Sequence, residues 1–155
     1  MKELRIKKRL TAYMELEQHI DNLIEQYETA RAQLEGISSP DISGMPRGSS
    51  GASHDRFANK IARCDDLEQK IQRKMAARDS ERRSLEELID ALPKARQKSV
   101  IEMRYLDAMD WKEINQVLFG RNEDFAYRED TYMRKIFYAH GEALDIMEQM
   151  QTGND

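Results

Sequence analysis

The run TYMRKIFYAH, residues 131–140, carries four side chains suited to an anionic or planar partner: Met133, Arg134, Lys135 and Tyr138. An arginine guanidinium can make a two-pronged contact with guanine, a lysine can reach guanine or phosphate, and a tyrosine can bond phosphate or pack against sugar. Each also has an ordinary reading, as exposed helical residues for Arg134 and Lys135 and as packing residues for Met133 and Tyr138. Lys112 and Arg128 are further cations nearby. Lys112 follows Trp111 where a short helix is expected to begin, and unused backbone N–H groups there, together with a cation, can hold a phosphate. Other chemistries have less support. His19, His54 and His140 lie far apart, no Asp or Glu pair sits in a pocket-forming context, and GMPRGSSG lacks the lysine and preceding strand of a phosphate-cradling loop. The pattern predicts a protein that is not an enzyme and needs no cofactor or metal.

Side chains of this kind need helices to present them. Asp110 stands three residues before Glu113 in DWKEINQVLFG, a capping-box spacing that starts a short helix, with Ile114, Val117 and Leu118 as its apolar positions and Gly120 as its end. A helix from about residue 94 to 106, with Pro93 in its first turn, presents Val100, Ile101, Met103, Tyr105 and Leu106. A third, from about Thr131, carries Ile136, Ala139, Ala143 and Leu144 inward. Three short helices with a turn before the last are the minimum for a helix-turn-helix.

The N-terminal part has a different rhythm. Tyr13, Leu16, Ile20, Leu23, Tyr27, Ala30 and Leu34 alternate steps of three and four, a heptad seam on a long helix from about residue 3 to 35 that Gly36 is expected to end in a left-handed cap. The stretch ISSPDISGMPRGSSGAS, residues 37–53, reads as a loop. Phe57, Ile61, Cys64, Leu67, Ile71 and Met75, then Leu85, Leu88, Ile89 and Leu92, resume helical spacing. Two long helices joined by a loop can bury their stripes as an antiparallel hairpin or pair between chains as a homodimer, and periodicity leaves both open. The expected fold is therefore all-α: a coiled-coil-like antiparallel hairpin over residues 1–90, a three-helix helix-turn-helix domain over 91–150 and a tail at 151–155.

Composition sets outer bounds. The 155 residues carry 25 Lys and Arg against 29 Asp and Glu, a net charge of -4, which argues against indiscriminate polyanion binding but allows cations gathered on one face. A single cysteine precludes an internal disulfide and fits a reducing compartment, so the expectation is a cytoplasmic protein. No apolar run approaches membrane-spanning length, and no membrane partner is expected.

At LPKARQKSVIEMRYLDAMDWKEI, residues 92–114, and TYMRKIFYAHGEAL, residues 131–144, the chain resembles region four of bacterial sigma factors, the promoter-reading domain. With SGMPRG at 43–48, RYLDAMDW and HGEAL, it is similar to small phage and prophage proteins related to late-transcription regulators of the ArpU and RinA kind. The resemblance implies a sequence-specific regulator that binds double-stranded DNA and acts with RNA polymerase, as a late-gene activator. Two readings from other classes stand beside it: a packaging adaptor of the terminase small-subunit type, and a protein-binding helical module. One departure from the family is the run GRNEDFAYRED, residues 120–130, where sigma-type domains have a turn of about three or four residues. It can form an extra helical turn or a loop that reaches DNA or polymerase.

Overall fold

A computed structural model describes residues 2–37 and 50–153, and the described chain is all-helical. Its elements are α1 (Arg5–Ile37), α2 (Ser50–Asp90), α3 (Ala95–Ile101) with a wider π turn continuing it over Glu102–Leu106, α4 (Trp111–Phe119), a short 3-10 turn (Phe125–Tyr127) and α5 (Glu129–Gly153). The expected long hairpin followed by a helix-turn-helix is the observed architecture. Among the described residues no helix is long and apolar enough to cross a membrane.

Several boundaries differ from the sequence expectation. Gly36 does not cap α1: the helix runs through it to Ile37, and no described glycine has positive φ. Residues 50–53, expected in the loop, already belong to α2, and residues 38–49, with the SGMPRG motif, lie outside the described residues. Pro93 precedes Lys94, the N-cap of α3, rather than sitting in its first turn. Gly120 follows α4 with a right-handed φ of -60°. What favours glycine there is space, because a Cβ would collide with the Gln116 carbonyl oxygen and side chain.

Contacts divide the chain into two compact units, neither bounded at residue 90. One comprises Glu17–Ala77, and the other joins Met1–Leu16 to Arg78–Asp155. In the first, Ile20, Leu23 and Ala30 of α1 and Cys64 and Ile71 of α2 are buried, with Tyr27, Leu34, Phe57, Leu67 and Met75 half-buried beside them. Arg63 shares a shallow polar groove with Asn22, Gln26 and Gln33, as antiparallel pairing of the two helices requires. Full burial of Ile20 or Leu23 contributes about 1.5–3 kcal/mol each.

In the second unit Ile6, Leu10 and Tyr13 of α1, Leu85, Ile89 and Leu92 around the end of α2, Ile101, Tyr105 and Leu106 of the α3 segment, and Ala143, Leu144 and Met147 of α5 form one cluster. A second cluster, from Val100, Ile114, Phe119, Tyr132, Ile136 and Ala139, is the core of the helix-turn-helix. The second unit spans residue 90 for a physical reason: the apolar stripe of α5 is longer than α3 and α4 can cover, and the ends of α1 and α2 bury the rest. Polar bonds follow the same contact. The Ile6 N–H donates to Glu148 Oε2 at 2.8 Å, so a carboxylate of α5 satisfies a free donor in the first turn of α1. Arg9 pairs with Glu81, donates to Ser84 Oγ at 2.6 Å and reaches Gln151 Oε1 at 3.3 Å, tying three helices together.

The turn between the α3 segment and α4 closes on Ala108, which has φ 55°. The N–H of Met109 donates to the Met103 carbonyl and that of Asp107 to the Glu102 carbonyl, both at 2.9 Å, a left-handed helix ending usually built on glycine. Ala108→Gly relieves the left-handed Cβ contact and is expected to raise stability by up to about 1 kcal/mol in urea unfolding, whereas Ala108→Val should lower it. The reverse order would show that this turn is not held left-handed. In the other unit, Ile20→Asp with Leu23→Asp places two carboxylates in the seam and is expected to abolish its cooperative unfolding. A variant of unchanged helicity and hydrodynamic size would remove the seam assignment.

Candidate nucleic-acid interface

The rotation of α5 is set by its buried side. Ile136 is fully buried and Ala139 nearly so, which leaves Arg134 on the opposite side, with Tyr138, 71% exposed, one turn further on, and Lys135 exposed on the flank one turn before Ala139. The start of α5 is anchored by the segment before it. Asn115, buried in α4, donates through Nδ2 to the Glu129 carbonyl at 3.2 Å. The expected insert folds back as turns and a single 3-10 turn: Phe125 stacks near Tyr132 with centroids 6.1 Å apart, Phe119 lies on it at 4.7 Å, and the Tyr132 hydroxyl donates to Asp124 Oδ1 at 2.6 Å. That bond, ahead of burial, holds the Tyr132 phenol above its ordinary range.

An open groove of about 580 Å³ runs between α5 and the start of α3. Arg134, Lys135 and Tyr138 line one wall and Lys94, Arg96 and Gln97 the other, with Glu142 at one end. Arg96 lies over the Phe119 ring, 5.1 Å from its centroid, and Lys135 Nζ lies 5.1 Å from that of Tyr132. Glu142 Oε2 accepts from Lys94 Nζ at 3.2 Å and from Gln97 Nε2 at 2.9 Å. The Lys94 bond is the main reason its carboxyl lies below the ordinary range. Gln97 is buried, and its Oε1 has no hydrogen-bond partner.

The six candidate residues thus fall into two groups. Arg134, Lys135 and Tyr138 share the groove wall. Met133 is half-buried and packs against the helix-turn-helix core, so it is a packing residue. Arg128 is exposed and pairs with Asp124 at 3.7 Å. Lys112 is exposed on α4, but the start of that helix is a poor anion site. Asp110 Oδ1 accepts the Glu113 N–H at 2.8 Å while Glu113 Oε2 accepts the Asp110 N–H at 3.2 Å, so two carboxylates already stand where a phosphate would sit. The residues that sequence reasoning missed are Lys94, Arg96, Gln97 and Glu142. Lys94 and Glu142 are 48 positions apart, and no local spacing announces a contact made by two helices packing side by side.

Comparison with protein-family models, curated proteins and solved structures gives no match to this chain.

Beside these candidate residues lies an aromatic set that is partly exposed at Phe137. Trp111 packs edge-on to Phe137 at 5.1 Å and to His140 at 4.8 Å, with Arg104 over its ring at 4.8 Å. His140 stacks near Tyr105, and its Nε2 shares a 2.8 Å hydrogen bond with the Tyr105 hydroxyl. Burial, reinforced by Lys7 and Arg104, pushes the His140 imidazole down to about 4, and burial raises the Tyr105 phenol. The unfolded chain then takes up a proton near the ordinary 6.5 while the folded chain does not. This contribution to stability is complete above pH 6.5 and is lost as pH falls from there toward 4. Thermal unfolding across that range should show a shallower decline for His140→Gln than for the parent chain. Parallel declines would mean that His140 is not held neutral.

Proposed function

We propose that this chain binds double-stranded DNA through the exposed face of α5 and regulates transcription, as a cytoplasmic phage or prophage late-gene activator working with RNA polymerase. One observation carries the reading: Arg134, Lys135 and Tyr138 stand together, exposed, on the second helix of a helix-turn-helix whose opposite side is fully buried. In such a motif that helix enters the major groove, where an arginine fork reads guanine and a lysine meets guanine or phosphate. Glu129 and Asp130 in the first turn of α5 favour the helix dipole but repel phosphate, so affinity for random DNA is modest and discrimination depends on base contacts.

A second reading is favoured by exposed apolar side chains. Val117 and Phe137, 56% and 48% exposed, lie on the two motif helices with Tyr138, and a protein-binding module would use such a surface. Salt separates the two, because phosphate contacts make affinity fall steeply as salt is added.

Selection from a random duplex pool tests the first reading. Arg134→Ala should cost about 1–3 kcal/mol and relax preference at one base pair, and Lys135→Ala should weaken all duplexes alike and lower the salt slope by about one. Unchanged affinity and preference in both variants, with the fold intact, would remove α5 as the reader. A closed ring of many subunits in solution would favour the packaging adaptor instead.

A further inference from the structure

We propose that the groove between α3 and α5 seats a backbone phosphodiester, with Arg96 as its contact on the α3 wall and Glu142 as a built-in counter-charge that holds Lys94 back from it. This rests on the reading that α5 faces DNA and extends it to a helix outside the two-helix motif. Charge is the first argument. The chain has a net charge of -4, yet Lys94, Arg96, Arg134 and Lys135 bring four cations to this groove against the one carboxylate of Glu142. A cleft with cations on facing walls concentrates positive potential and draws in an anion. Preorganisation is the second. The Arg96 guanidinium lies over the Phe119 face, 5.1 Å from its centroid, and Phe119 is itself buried, so part of the ordering that a phosphate contact demands is already made in the free protein.

Geometry makes the partner a phosphodiester rather than a base edge. A helix seated in the major groove has strand backbones on either side, and an element flanking it meets phosphates, which fix register without reading sequence. The start of α3 is such an element, since it forms the wall facing Arg134 and Lys135.

Glu142 tunes the contact. In the free protein its Oε2 accepts from Lys94 Nζ and from Gln97 Nε2, and Gln97 is only 1% exposed, so the carboxylate is tethered to a rigid part of α3. The Lys94 ammonium thereby has an anionic partner before DNA arrives. An incoming phosphate meets a repelling carboxylate at the groove end and gains little from Lys94. The pair lowers affinity for any duplex without touching base preference, which favours a protein that must leave random DNA to find a site.

The test uses the full chain and fluorescence anisotropy with the duplex chosen by selection and with a scrambled duplex, from 50 to 200 mM salt. Arg96→Gln should weaken both duplexes alike and lower the salt slope by about one, so that its affinity falls about threefold less than the parent's over that range. Arg96→Lys should keep the slope, separating charge from packing on Phe119. Glu142→Gln should tighten both duplexes and raise the slope by about one as Lys94 is released. Unchanged slopes in Arg96→Gln and Glu142→Gln, with Arg134→Ala still weakening the selected duplex, would overturn the groove proposal and leave α5 as reader. If Arg134→Ala is also without effect, the DNA reading itself fails. Displacement of the duplex by polyglutamate at equal charge concentration would show a site for acidic protein segments, and would overturn the phosphodiester assignment.

Discussion

Along α5, Tyr132, Ile136, Ala139, Ala143, Leu144 and Met147 fall on one buried stripe about four turns long, and covering that stripe constrains the rest of the unit that contains it. No single short helix can cover it. Its first half meets Ile114 and Phe119 of α4 and Val100 of α3, and its second half meets Ile101, Tyr105 and Leu106 together with Ile6, Leu10, Leu85 and Ile89 from the two long helices. Val100 and Ile101, neighbours in sequence and both fully buried, are divided between the two clusters, so α3, like α5, runs through both. Ala139 and Ala143 at the middle of the stripe remove bulk where α3 crosses closely. With several large side chains at or near zero exposure, each contributing about 1.5–3 kcal/mol, the rotation of α5 is determined by its core and not by any ligand.

A helix held this firmly presents a fixed outer face. Arg134, Lys135 and Tyr138 point outward because Ile136 and Ala139 point inward, and the same rotation brings Glu142 beside Lys94 and Gln97 of α3. The groove therefore belongs to the packing of α3 on α5 rather than to the turn between α4 and α5. The insert before α5 does not open that turn. Tyr132 draws it in, stacked between Phe119 and Phe125 and bonded to Asp124, so the longer connection is consumed in capping the hydrophobic core.

Much of this was legible in the sequence because helical periodicity reports burial directly. The seam residues Tyr13, Ile20, Leu23 and Ala30 are buried, the Asp110 and Glu113 spacing forms a capping box, and Ile136, Ala139, Ala143 and Leu144 all face inward. Periodicity does not name the partner of a stripe, which is why Ile6, Leu10 and Tyr13 continue the same spacing yet pack with α3 and α5 in a unit that spans residue 90. Glycine was read correctly at one helix end and misread at the other. Gly120 does follow the last turn of α4, whereas α1 runs through Gly36, and among the described residues the left-handed one is Ala108, in a turn whose backbone hydrogen bonds hold a conformation that its side chain disfavours. At the candidate site, Arg134 and Lys135 were visible as adjacent cations. Arg96 and Glu142 were not, since only the crossing of two helices makes them neighbours.

Charge placement is the remaining link between fold and function. An excess of acid spread over the chain opposes nonspecific attraction to a polyanion, and the first turn of α5 adds Glu129 and Asp130 where the helix dipole welcomes them. A cation at the end of such a helix would help DNA binding and weaken the helix, while a carboxylate does the reverse. In α4 and α5 the acids stand at the helix starts, Asp110 and Glu113 for α4 and Glu129 and Asp130 for α5, and the cations of α5 lie one turn further in at Arg134 and Lys135, while Arg96 stands in the first turn of α3. That arrangement suits the dipoles of α4 and α5, whereas α1 and α3 carry no acid in the first turn and α1 opens with Arg5, Lys7 and Lys8. On α5 it places the exposed cations along the wall of the groove shared with α3, where Arg96 faces them.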